Sequence, residues 1–298
     1  MLENVKSVFN TKNLLLFLLL IAAVIFVLFK FSSREVRVQE LWLNSQGKKI
    51  YGTMYLPPAK RFKYPLIIMS HGFNGDSRYP RIVSNAKYFA KSGYAVYAFD
   101  FAGGGPGSLS DGKGVDMSVL TEARNLSDVL TQVEQLDYID KKNIILFGYS
   151  QGGYISAYVA ASRPEEIKGL VLYYPAFNIS SPEWESTMNK HIMSTKDLFD
   201  KKIIGKKYFK DANSVDIYKH IKNYKKDVLI LHGRRDVIVD LKYSQKAAEA
   251  YDKNKVKLVI YDYDGHGLGD PAYAEAKIEA YNFCQKLVHS PFLTKFIK

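Results

Sequence analysis

The sequence predicts an α/β domain, built as a mostly parallel central sheet with helices on both faces. Three observations predict it. Short, nearly continuous apolar runs recur at 65–70, 95–100, 143–148, 169–174, 227–231 and 257–261. Amphipathic stretches at 82–91, 121–136, 154–162, 243–252 and 272–287 lie between or after them. Strands without polar alternation are buried on both faces, which a parallel sheet covered by helices provides. The third observation is local: the run 143–148 stops at Gly-Tyr-Ser-Gln-Gly-Gly, 148–153, where a helical pattern begins.

Ahead of this pattern, 36–43 alternates (VRVQELWL) and 49–56 forms a second short strand, with a turn at Ser45-Gln46-Gly47 between them. That layout is an antiparallel hairpin. From Pro175 to Lys226 no core-like strand occurs, which marks an insertion over the carboxyl edge of the sheet, about 176–224. The segment 14–29, LLLFLLLIAAVIFVLF, is an apolar run flanked by Lys12 and Lys30. It approaches the length of a membrane-spanning helix and lacks an Ala-x-Ala cleavage pattern, so an uncleaved transmembrane signal anchor is expected. Residues 1–34 are accordingly a cytoplasmic stub and anchor, and 35–298 the folded domain, held outside the cell membrane. Charges on the two sides of the run do not decide its orientation, which rests on the signal-like layout of the first thirty residues.

The bulk properties exclude several classes. A hydrophobic fraction of 47% over 298 residues supplies a full core. The excess of 42 Lys and Arg over 30 Asp and Glu is spread along the chain. It is a solvated basic surface rather than a nucleic-acid motif, which would cluster basic and aromatic residues. Cys284 is the single cysteine, so there is no disulfide framework within the chain and no cysteine-based metal site. The glycine run 103–107, GGGPG, follows a strand, but Pro106 and the polar residues to Asp116 make a loop rather than the helix a phosphate cradle needs. No cofactor is expected.

The Gly-x-Ser-x-Gly at 148–152 sits where a strand gives way to a helix, the setting of a nucleophile elbow. The turn admits only small flanking residues, here Gly148 and Gly152, and it presents Ser150 at a helix N-terminus. A serine hydroxyl needs a base to take its proton and an acid to orient that base. Of six histidines, His71 and His232 precede glycines at strand ends and suit turns, His191 and His220 lie in the insertion, and His289 is at the tail. His266, between glycines in YDYDGHGLGD after the last strand, is the candidate base. Asp236, after the strand ending LILHG, is the candidate acid, with Asp262 and Asp264 as alternatives that suit loop capping better. Two backbone N–H groups should stabilise the oxyanion: that of Gln151, after the nucleophile, and that of Phe73 in MSHGFNGD.

With these motifs the chain resembles the α/β-hydrolase superfamily, in the esterase branch that includes bacterial cinnamoyl (feruloyl) esterases. The resemblance runs from about 36 to 287 and rests on SHGFNG (70–75), FDFAGGG (99–105), SDGK (110–113), MSVLTE (117–122), GYSQGG (148–153), HGRRDVIV (232–239) and GHG (265–267). It implies Ser150 as nucleophile, His266 as base, Asp236 as acid, and Phe73 and Gln151 as the oxyanion hole. It also implies that the insertion shapes the acyl pocket. The chain departs from the family in carrying GGGPGSLS, 103–110, where Gly-His-Gly-x-Ser is commoner, and in its anchor. Trp184, Phe199, Tyr208 and Phe209 are candidates to line that pocket or, equally, to fasten the insertion to the body.

The expected activity is therefore a membrane-tethered serine carboxylesterase acting on small acyl or aryl esters. A lipase or lysophospholipase is the alternative, followed by a peptidase and by a non-catalytic binding module on the same scaffold. Asn125 and Asn178 sit in Asn-x-Ser sequons, relevant only in a glycosylating pathway.

Overall fold

The computed structural model describes residues 17–21 and 35–288. Its centre is an eight-stranded sheet in the order β1-β2-β4-β3-β5-β6-β7-β8. The strands are β1 (Arg37–Ser45), β2 (Lys48–Leu56), β3 (Tyr64–Ser70), β4 (Ala95–Phe99), β5 (Ile139–Tyr149), β6 (Gly169–Tyr173), β7 (Asp227–Gly233) and β8 (Val256–Tyr261). Only β2 runs against the others. The β1–β2 hairpin closes through Gln46 and Gly47, whose φ values of 53° and 78° give the two-residue turn that matches strand twist. Strand β5 starts earlier than the apolar run at 143 because Ile139 and Asp140 pair with Tyr64 and Pro65 before a register shift that skips residues 141–143.

The helices are α1 (Pro80–Lys91), α2 (Val119–Val133), α3 (Gln151–Ser162), α4 (Trp184–His191), α5 (Thr195–Asp200), α6 (Lys206–Asn213), α7 (Ile217–Ile221), α8 (Leu241–Ala250) and α9 (Asp270–Val288). Pro80 opens α1 at a position where its missing N–H costs nothing. A reciprocal capping box between Ser118 and Thr121 opens α2. Alternate residues of each strand feed two cores. Leu66, Ile68, Ile144 and Leu146 face α2 and α3, while Ile67, Met69, Ile145 and Phe147 face α1 and α9. This two-sided burial is why the strands are apolar throughout.

Between β6 and β7 the chain makes a short 3-10 turn, Phe177–Ser180, and then the helices α4 to α7. Trp184, Met188, Leu198 and Tyr208 of this segment are buried in the α2–α3 core, so it packs down as a cap. From β3 the chain goes to β4 on one side and later to β5 on the other. Such a switch point opens a crevice at the strand carboxyl ends, where ligands bind in sheets of this kind.

The expected membrane-spanning helix is overturned. Residues 17–21 form a five-residue helical stretch, and the rest of the run 14–29 lies outside the described residues. Among the described residues no helix is long and apolar enough to cross a membrane.

Candidate active site

Ser150 stands between the end of β5 and the first residue of α3 with φ 51° and ψ −118°, a conformation that side chains with a Cβ seldom adopt. The tightness explains the glycines. A Cβ on Gly148 would come within 2.2 Å of the Gly152 carbonyl oxygen, and one on Gly152 within 2.3 Å of the Ser70 oxygen. The turn is pinned by Ser150 N–H donating to Tyr173 O at 2.9 Å and by Ala176 N–H donating to Ser150 O at 2.9 Å.

The structure brings Ser150, His266 and Asp236 into one hydrogen-bonded line. His266 Nδ1 is 2.7 Å from Asp236 Oδ2, and His266 Nε2 is 3.1 Å from Ser150 Oγ. The carboxylate accepts, so Nδ1 carries the proton and Nε2 is left to receive the serine's. Asp236 is buried, and its other oxygen accepts from the N–H groups of Ile238 and Val239 at 2.9 and 2.8 Å. Burial alone would raise its pKa. The hydrogen bonds from His232 and His266, with the His266 charge and the Val239 N–H, outweigh it and hold the carboxyl well below the usual range. The acid loop and the histidine loop are joined by Arg235 N–H donating to Asp264 O at 2.8 Å. Asp262 instead pairs with Arg234 at 2.6 Å, and Asp264 accepts from Gly269 N–H at 2.6 Å.

Phe73 and Gln151 line the same cavity as Ser150 and His266, a space of about 290 Å³. Gln151 is the first residue of α3, so its N–H has no acceptor within the helix. The Phe73 N–H donates to nothing else among the described residues. Pairing of Ser70 with Gly148 sets the loop after β3 beside Ser150. His71, buried, stitches that loop to the end of β4. Its Nδ1–H donates to Gly72 O at 2.8 Å, and its Nε2 accepts from Phe101 N–H at 3.0 Å. Burial lowers its pKa, partly offset by the Gly72 bond. The ring is therefore a neutral strut.

Of the four candidate pocket aromatics only Trp184 lines this cavity, joined by Ile179 and Ile192 of the cap, Ile82 of α1 and Ile238 of the acid loop. Phe199 and Phe209 pack edge-to-face on each other at 6.2 Å, away from it. Tyr208 is fully buried, with its hydroxyl donating to the Gln151 side chain at 2.7 Å. For these three the fastening role is the one observed.

Three features escaped the sequence reading. His232 is a second histidine on the acid, with Nε2 3.2 Å from Asp236 Oδ2. Arg81 of α1 holds the histidine loop by donating to the carbonyls of Gly267 and Leu268 while lying over the Tyr273 ring at 4.6 Å. The glycine run braces the Phe73 loop: Gly105 N–H donates to Gly75 O at 3.0 Å, and a Cβ on Gly105 would come 2.0 Å from Asn74 O. The His-Gly-x-x-Asp spacing at 232–236 was the one available sign of the first.

Comparison with known proteins bears on the fold. Residues 65–207 match the alpha/beta hydrolase fold family. The structure superposes on Est1E from Butyrivibrio proteoclasticus with ferulic acid bound, at TM-score 0.72 and 24% identity, covering 84% of this chain and 100% of that one. The acylamino-acid-releasing enzyme of Rattus norvegicus is 24% identical over 230 residues, 72% of this chain and 30% of the relative, so the chain spans less than a third of that protein. The monoglyceride lipase of Mus musculus is 34% identical over 149 residues, 49% of this chain and 45% of the relative. Residues 65–207 thus resemble the alpha/beta hydrolase fold family, and the sheet reversed only at β2 superposes on the Est1E fold.

Proposed function

We propose that the chain is a serine carboxylesterase that cleaves small acyl or aryl esters through a covalent acyl-enzyme. The observation that carries this reading is the line Asp236–His266–Ser150, which opens on an apolar cavity beside two backbone N–H groups. In the reaction, Ser150 Oγ attacks the ester carbonyl carbon as its proton passes to His266 Nε2. The oxyanion receives hydrogen bonds from the Phe73 and Gln151 N–H groups. Collapse of the tetrahedral species breaks the ester C–O bond, and the alcohol leaves with the proton from His266. Water then gives a proton to His266 and attacks the acyl carbon, which releases the acid and restores Ser150. Asp236 stays ionised throughout and holds the His266 ring in its working tautomer, a role its lowered pKa supports.

A space of about 290 Å³ lined by Trp184, Ile179, Ile192 and Ile238 suits a short acyl chain or one aromatic ring. The ferulic acid bound to Est1E supports the aryl arm. A second reading, hydrolysis of a monoacyl lipid, is supported by the likeness to a monoglyceride lipase and by the exposure of Tyr79 and Ile192 among the residues that line the cavity.

The test is labelling by a fluorophosphonate probe, comparing wild type with Ser150→Ala, followed by rates on acetyl, butyryl, long-acyl and hydroxycinnamoyl esters. Labelling of wild type alone, with highest kcat/KM on short or aryl esters, is expected. A folded wild type that takes no label overturns the reading, and a clear preference for long acyl chains favours the lipid ester.

A further inference from the structure

We infer that Glu122 of α2 and Tyr208 of the cap are positioning residues that clamp the Gln151 side chain and thereby hold both halves of the oxyanion hole. The inference rests on the proposed role of the Phe73 and Gln151 N–H groups. Gln151 Nε2 donates to Glu122 Oε2 at 2.6 Å, and Gln151 Oε1 accepts from the Tyr208 hydroxyl at 2.7 Å. Both ends of the amide are engaged, so the side chain has no free rotamer. The Tyr208 ring also meets the Phe73 ring edge-to-face, with centroids 5.8 Å apart. One cap residue therefore touches the two residues expected to supply the oxyanion donors, which come from loops after different strands.

A carboxyl buried without a cation is costly, and nothing in the packing of α2 requires one. Glu122 and Gln151 are both essentially buried. Burial drives the Glu122 pKa up to about 8, against the opposing Gln151 bond. The charged and titratable groups on the surrounding elements are engaged elsewhere. Lys207 of α6 pairs with Asp211 at 2.7 Å, and Tyr154 of α3 bonds Ser180 at 2.8 Å. On β1, Glu40 accepts from Tyr51 and Arg37 donates to Pro57 O. Asp128 of α2 itself accepts from Ser45, and Arg124 reaches Gln46. Asp116, in the turn before α2, makes no side-chain bond to Glu122. Among the described residues Tyr208 is the neighbour whose own pKa responds to Glu122, being raised by burial and then by that carboxylate. Below about pH 8 Glu122 is a neutral acceptor for Gln151. Above it, an unpaired negative charge joins the chain that ends at the oxyanion hole and disfavours the oxyanion.

The experiment compares wild type, Tyr208→Phe, Glu122→Leu and Glu122→Gln on a p-nitrophenyl ester from pH 6 to 10. It measures kcat and KM separately and the Ki of a trifluoromethyl ketone, whose adduct with serine mimics the oxyanion. Tyr208→Phe and Glu122→Leu should lower kcat about 10-fold, less than the 100-fold or more lost with an oxyanion donor itself, with KM within about twofold. They should weaken the ketone by a similar factor while still reacting with the fluorophosphonate. Glu122→Gln should keep the wild-type kcat at pH 7 and lose the decline above pH 8. Folded Tyr208→Phe with wild-type kcat and ketone affinity overturns the clamp. If Glu122→Leu fails to fold, an unchanged alkaline limb in Glu122→Gln overturns the part assigned to Glu122. Either failure with Ser150 still labelled leaves the esterase reading standing, whereas a wild type that takes no label removes both.

Discussion

His232 Nε2 lies 3.2 Å from Asp236 Oδ2, the same oxygen that holds His266 Nδ1 at 2.7 Å. His232 is fully buried, and its Nε2 also faces the Val239 carbonyl at 2.8 Å. Both partners only accept, so Nε2 carries the proton, and Nδ1 meets the Ser244 hydroxyl at 2.7 Å. The acid is thus oriented from behind by a histidine four residues ahead of it in the chain. Replacing His232 by Ala should leave Asp236, Val239 O and Ser244 each short of a partner. A loss of ~1–3 kcal/mol in stability is expected, with a fall in kcat of about 10-fold as the Asp236–His266 pair loosens. Urea denaturation and ester kinetics check it; wild-type kcat in the variant would show that the Ile238 and Val239 N–H groups suffice to orient the acid.

The depressed pKa of Asp236 links stability to pH. The group is charged in both folded and unfolded chains above the unfolded value of about 3.9, and there its native partners contribute fully. As pH falls toward the lower folded pKa the unfolded chain takes up the proton first, and the contribution is lost. Asp236→Asn should therefore be less stable than wild type from pH 5 to 8, and the gap should shrink below about pH 4. Thermal melts of both proteins across that range measure it. A gap independent of pH would mean that the stabilisation comes from packing rather than from the charge.

Arg81 is the residue through which α1 reaches the His266 loop. Its guanidinium spans the carbonyls of Gly267 and Leu268, lies 3.2 Å from Asp270 and covers the Tyr273 ring. Gly267 and Leu268 have φ values of 94° and 59°, so the loop just after His266 is held in an unusual conformation by few contacts. Arg81→Ala should lower kcat/KM about 10- to 100-fold, because misplacing a catalytic group by about 1 Å is worth that much. Arg81→Lys should recover only part, since one ammonium cannot serve two carbonyls and stack on a ring. Kinetics of the two variants decide it, and full recovery by lysine would reduce the role to charge alone.

The parts legible in sequence were those whose cause is local. Strands such as 65–70 and 143–148 announce themselves because burial on both faces demands apolar residues at every position. The elbow is legible because its glycines lie within two residues of Ser150. His266 and Asp236 follow from their places at strand ends. Glu122, Tyr208 and Arg81 act across 29, 57 and 186 residues of sequence separation, on Gln151, Gln151 and Gly267 respectively. No spacing rule spans such distances. For Phe199, Tyr208 and Phe209 of the cap, composition left lining the pocket and fastening the cap equally open, because it does not show which side a side chain packs on.

Ser150 itself yields the last prediction. Its φ of 51° and ψ of −118° are forced by the elbow, and a residue with a Cβ held in so sparse a region costs ~1–3 kcal/mol. Gly72 leaves room for that Cβ, since a Cβ added there would stand 3.2 Å from it. Glycine does not carry that strain, although it loses roughly 0.5–1 kcal/mol more backbone entropy on folding. The strain exceeds that loss, so Ser150→Gly should be about 1 kcal/mol more stable than Ser150→Ala, a rise in Tm of about 2–4 °C for a domain of this size. Both variants lack the nucleophile and should be inactive, so any difference between them reports the backbone alone. Equal melting temperatures would mean that the turn relaxes around alanine. A higher one for Ser150→Gly would mean that presenting the hydroxyl at the head of α3 costs the fold stability it could otherwise keep.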